Sequence, residues 1–142
     1  MNKTKNVADT LRDEGELKKL WDVMEKADLL EKMSKEKGPY TIFAPTNAAF
    51  DKIPSDKLNE LLNNREELIN TINYHVVRGK YTSKDIARMK KATSINGDDI
   101  DIDTSKGVWV NKSKVIKPDV ETSNGVIHFI DTMLTPKHHK YK

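Results

Sequence analysis

The chain has 142 residues, with 25 Lys and Arg against 22 Asp and Glu, a net charge of +3 and no cysteine. That length suits one domain, and a chain without cysteine can have no structural disulfide, thiolate nucleophile or cysteine-bound metal. Basic and acidic side chains are interleaved rather than sorted into a stripe, which argues against a nucleic-acid partner.

No apolar run approaches a membrane span, and the opening "MNKTKNVADT" lacks the apolar centre of a signal peptide. The residues alone leave the compartment open between the cytosol and a mature, exported form. Residues 1–5 and the basic end 137–142 read as flexible tails around a domain spanning 6–136.

In chain order, Val7 to Leu11 predicts a short opening helix with Val7 and Leu11 on one face. Gly15 separates it from an amphipathic helix carrying Leu17, Leu20, Trp21, Met24 and Ala27 at helical spacing. Leu29, Leu30 and Met33 extend this pattern until Gly38 and Pro39 break it. Tyr40 to Ala44 predicts a strand ended by Pro45, and Thr46 is a good N-cap for a helix through Ala48, Ala49 and Phe50. Pro54-Ser55 opens a further helix with Leu58, Leu61 and Leu62 inward. Asn64 and Glu67 resemble a capping box for a helix whose inner face is Leu68, Ile69, Ile72 and His75.

Beyond "VVRGKY" the pattern changes. Ser83 to Met89 predicts one more short helix. Asn96-Gly97, with Ile100 and Ile102 alternating with aspartates, predicts a hairpin. Turns at Gly107, "NKSK" and "SNG" then separate Val108–Val110, Val115–Ile116 and Val126–Ile130, with Met133-Leu134 pairing again. Helices first and an antiparallel meander later predict an α+β fold.

Few residues here suggest chemistry. The Thr46-Asn47 elbow lacks the glycines of a nucleophile turn and the glycine-rich loop and lysine of a phosphate cradle. His75 and His128 sit in apolar surroundings without a base, nucleophile or metal partner at a telling spacing, and read as hydrogen-bonded packing groups. His138 and His139 are two adjacent ligands, too few to close a metal site. Asp98, Asp99, Asp101 and Asp103 have the oxygen chemistry of calcium loops but not the EF-hand spacing. Alternation puts the last three on the solvent face of a hairpin, while calcium coordination stays open. No catalytic, cofactor or metal set assembles, so the residues describe a non-catalytic α+β domain.

Three longer segments now stand together. "GPYTIFAPTNAAFDKIP" resembles the first signature segment of fasciclin domains, "INYHVVRGKYTSKDI" their central Tyr-His segment, and "VNKSKVIKPDVETSNGVIHFIDTMLTP" their second signature segment, in the family's order. On this resemblance Pro45, Thr46, Asn47, Phe50, His75, Asn124, Gly125 and His128 are motif residues that build the fold. The resemblance implies N-terminal helices packed against an antiparallel β-wedge formed mainly by the C-terminal half. It also implies a non-catalytic extracellular or cell-surface adhesion module, with its export signal removed from this chain, that binds cell-surface or matrix proteins.

In animal members an Asp-Ile pair is assigned to integrin recognition, and here those positions are Asp119 and Val120. That departure leaves an integrin an open alternative. The Tyr-His pair, here Tyr74 and His75, is a second assigned recognition element, although its apolar neighbours look like core. The Lys- and Asn-rich composition points to a microbial source. A surface carbohydrate- or ligand-binding protein is the alternative reading, since the pI of about 8.9 favours anionic polysaccharides. The elbow is expected to pack Pro45, Thr46 and Phe50 against the Tyr74-His75 turn.

Overall fold

The structure, a computed structural model, describes residues 6–30 and 39–134. The tails 1–5 and 137–142, the pair His138-His139, Met33 and the break at Gly38 lie outside the described residues.

The helices start where side-chain caps supply acceptors for the first free N–H groups. Asn6 caps α1 (Val7–Asp13) by accepting from Asp9 N–H at 2.8 Å. A 3-10 turn, Gly15–Leu17, leads into α2 (Lys18–Lys26), which buries Leu20, Val23 and Met24. The strand β1 (Tyr40–Pro45) runs into α3 (Asn47–Asp51), capped by the Thr46 hydroxyl accepting from Ala49 N–H. Next come α4 (Ser55–Asn63) and α5 (Arg65–Tyr74), the latter capped by Asn64 accepting from Glu67 N–H at 3.1 Å. After β2 (Val76–Arg78), the Thr82/Asp85 capping box opens α6 (Ser83–Ile86). The rest is strand: β3 (Lys91–Thr93), β4 (Asp99–Asp103), β5 (Trp109–Val110), β6 (Ser113–Thr122) and β7 (Gly125–Ile130).

The strands form one seven-stranded sheet in the order β2-β1-β7-β6-β5-β4-β3. All neighbours are antiparallel except β1 and β7, which run parallel from Tyr40↔Gly125 to Pro45↔Ile130. The sheet also curls. Ile95 N–H donates to the Val76 carbonyl at 2.8 Å and Val77 bridges to Ser94, so the outer strand β2 meets the turn after β3. Both outer strands thereby gain backbone partners that an open edge would lack.

The parallel pair lies at the centre of the packing. Every residue of β1 and β7 is buried, as expected for strands covered on both faces. Alternation sends Tyr40, Ile42, Ala44, Ile127 and Phe129 into one apolar cluster with α1, α2 and α5. It sends Phe43 and Ile130 into a second cluster inside the curl, with Tyr74, Ile100, Ile102 and Val110. Gly125 is where the two strands approach most closely. A Cβ there would sit 2.0 Å from the Tyr40 carbonyl oxygen.

The α+β architecture stands, with four corrections of detail. The wedge is formed mainly by the second half but is not wholly antiparallel, because β1 inserts parallel to β7; pairing so remote in sequence leaves no turn signal. Met133-Leu134 forms no strand, because Leu134 N–H goes to a histidine ring instead of a ladder. The helix at Ser83 ends at Ile86, short of Met89. Phe50 lies in the first cluster and Tyr74 in the second, so the elbow does not pack Phe50 against Tyr74. What meets that turn from β1 is the Phe43 N–H, donating to the His75 carbonyl at 2.9 Å. Leu58, Leu61 and Leu62 face the first cluster but stay half-buried.

Candidate functional site

Two histidines brace the centre of the molecule. His75 closes α5 and is 1% exposed. Leu134 N–H donates to its Nε2 at 2.9 Å, so the ring proton sits on Nδ1 and is donated to the Thr71 carbonyl at 2.8 Å. The neutral ring thus satisfies both neighbours, ties the end of the described chain to α5 and has no nitrogen left for a substrate. Burial pushes its pKa down to about 4, against the opposing pull of the Thr71 carbonyl.

His128, on β7, repeats the device. Asp119 N–H donates to Nδ1 at 3.2 Å and Nε2–H donates to the Tyr81 carbonyl at 2.8 Å. The ring stacks on Phe43, with centroids 5.8 Å apart. Burial lowers its pKa, opposed by the Tyr81 carbonyl and the Asp119 charge.

Asp119 occupies an irregular part of β6, where the register against β7 shifts between Val115 and Lys117 and again between Lys117 and Val120. Its backbone is left-handed, with φ 61°, a conformation Asp tolerates better than most residues. Its carboxylate accepts from Ser83 N–H at 2.8 Å and from the Ser83 hydroxyl, at the first turn of α6. Burial alone would raise its pKa, but the two Ser83 bonds, with His128 and Lys84 nearby, hold it below the usual value.

Val120 packs on the first core cluster. Asp119 and Val120 are each only part-buried, the first bonded to Ser83 and the second resting on the core cluster. What this bulge does present is Ile116, 49% exposed, with Lys117 and Pro118. Ile116 is the exposed large apolar side chain among the described residues. Lys117 extends over the Phe129 ring, 5.1 Å from its centroid.

Tyr74 is buried too. Its hydroxyl donates to the Asp99 carbonyl at 2.7 Å and accepts from the Asn111 amide at 2.9 Å. Pro45 ends β1 beside Ile130, and the adjoining Thr46 N–H reaches the Ile130 carbonyl. Asn47 turns back to α2: its carbonyl accepts from Lys19 N–H at 2.9 Å and its amide donates to the Gly15 carbonyl at 2.8 Å. Asn124 accepts from Val7 N–H at 2.8 Å through its side chain and from Tyr40 N–H at 2.9 Å through its backbone. Among the described residues no three His, Asp or Glu side chains converge as a metal site. Asp99 lies beside Thr93 and Lys91 at the hairpin.

The sequence reading singled out the two histidines and Asp119 but missed Tyr81 and Ser83, which complete the junction. Their roles run through backbone atoms and one hydroxyl, which carry no sequence signal. Ile116 was visible only as part of a strand.

This geometry defines a class: an α+β domain whose conspicuous polar residues lock strands and helices together and whose irregular surface faces outward. The fasciclin domain pattern matches residues 15–136, and the chain belongs to that family. Protein sll1735 of the cyanobacterium Synechocystis is 42% identical over 68% of this chain and 73% of its own length. The transforming growth factor-beta-induced protein ig-h3 of Sus scrofa is 36% identical over 94% of this chain, which spans only 20% of that protein. The cell surface glycolipoprotein MPB83 of Mycobacterium bovis is 33% identical over 70% of this chain and 44% of its own length. A solved FAS1 domain pair from the insect cell adhesion molecule fasciclin I superposes with a TM-score of 0.76, covering 96% of this chain and 51% of that one at 17% identity.

Proposed function

We propose that this domain is a non-catalytic adhesion module, working outside the cell or on its surface, that binds a protein or matrix component through the bulged face of β6. The observation that carries this reading is the exposed Ile116 on a bulge braced from behind. The Asp119 clamp on Ser83, the His128 contact to Asp119 and the Lys117–Phe129 contact hold this segment in place. A pre-organised apolar protrusion loses little conformational freedom on contact, which favours binding.

Family membership supports the class, as do the cell-surface relative and the cell adhesion molecule that shares the fold. In this reading Asp119 shapes the bulge rather than reaching for a partner, and Tyr74 and His75 support the core beneath.

The test is binding of the immobilised folded domain to cells and to a set of matrix proteins, integrin-bearing cells included, with a denatured control. Saturable binding by the folded domain, weakened by Ile116→Ser, is the expected result. A domain that binds none of them and instead turns over a small-molecule substrate would contradict the proposal.

A further inference from the structure

We propose that the tip formed by the β4–β5 and β5–β6 turns is a second binding site, for uronate-containing polysaccharide. It uses residues other than those of the β6 bulge and stands or falls separately from it. An open groove of about 440 Å³ lies there, lined by Asp103, Ser105, Lys106, Trp109, Asn111 and Lys112.

The groove has an aromatic platform. Trp109 is half-buried, and its indole N–H donates to the Lys106 carbonyl at 3.3 Å, which fixes the ring against the turn. The floor is held as well. Asn111 is in the left-handed region at φ 53°, accepts from Asp101 N–H at 2.9 Å and donates to the Tyr74 hydroxyl at 2.9 Å. That hydroxyl is anchored in turn on the Asp99 carbonyl. A site built this way needs little ordering when a ligand arrives.

The charges select the ligand. Lys106 and Lys112 are exposed and form no ion pair among the described residues. Asp103 accepts from Ser105 N–H at 2.9 Å and from the Ser105 hydroxyl at 2.7 Å, both at Oδ1, and these bonds keep its carboxyl ionised to lower pH than usual. Its other oxygen can accept a hydroxyl. A uronate residue satisfies all three features: its C–H face lies on the negative face of the indole, its carboxylate meets the two lysines, and its hydroxyls donate to Asp103. A neutral glycan would leave both lysines unused. A peptide of glutamates alone would give Asp103 no hydroxyl donor. The groove is open rather than enclosed, which leaves room for a polymer segment.

The chain has two tryptophans, so Trp21→Phe leaves Trp109 as the sole indole reporter. In that background, fluorescence titration with oligogalacturonate is compared with neutral dextran and with polyglutamate, each at low and high salt. Calorimetry on the unmodified chain gives a second readout. A saturable change with oligogalacturonate, weaker at high salt, is expected, with little response to either control. Lys106→Gln with Lys112→Gln should weaken binding at least about tenfold, and Trp109→Ala should abolish it in calorimetry with an unchanged melting temperature. Ile116→Ser should leave the titration unaltered, which separates this site from the β6 face. The proposal is overturned if oligogalacturonate does not saturate, if dextran or polyglutamate matches it, or if Trp109→Ala retains the affinity.

Discussion

His75 stands out in the sequence as a candidate site residue, yet its bonds are those of a brace. Its ring bridges the Thr71 carbonyl and Leu134 N–H inside the core. Removing it strands both partners, and a buried polar group without a partner costs ~1–3 kcal/mol. His75→Ala should lower stability by about that amount in denaturant titration, and an unchanged midpoint would refute the bracing role. Asn47 makes a smaller case. It supplies an acceptor to the first turn of α2 from another element, so Asn47→Ala should cost ~1 kcal/mol, the usual worth of a helix cap. Both residues stood out in the sequence, His75 through its apolar setting and Asn47 through the elbow motif. Their partners did not, because carbonyl and N–H groups are the same at every position.

At the scale of elements, the junction of β1 with β7 decides most. Gly125 allows the approach because any Cβ would overlap the Tyr40 carbonyl oxygen. Gly125→Ala should therefore destabilise at or above the top of the ~1–3 kcal/mol range for overpacking, read as a fall in the calorimetric melting temperature. A near-neutral effect would mean the strands have room to separate. The helices were legible because apolar residues recur at helical spacing, with caps at Thr46 and Asn64, and the late strands because Asn-Gly and Gly-containing turns divide them. The parallel pairing was hidden, since two fully buried strands show no alternation and their registry is set by packing. Leu134 went wrong for a related reason: an apolar pair predicts burial, and here burial came by docking on His75 rather than by pairing.

For the whole molecule, the buried histidines set a dependence of stability on pH. His75 has its pKa lowered from 6.5 to about 4 in the folded state, and His128 is lowered as well. Between those values the unfolded chain binds protons that the folded chain excludes, so stability falls as pH falls. The contribution is complete above pH 6.5 and is lost on the way down to about 4. For fully buried His75 alone this amounts to ~3 kcal/mol. Asp119, with its lowered pKa, adds a further loss at still lower pH. Melting temperatures across this range should decline in the parent and decline less in His75→Ala; parallel curves would contradict the assignment.

In the proposed function, binding runs through the outward face of β6 while the motif residues beneath it hold the fold. The most direct measurement is saturation binding of the folded domain and its Ile116→Ser variant to the same cells or matrix surface, with melting temperatures recorded for both. Equal melting temperatures, with binding lost in the variant, are expected. Equal binding by both, or binding retained by the denatured chain, would contradict it.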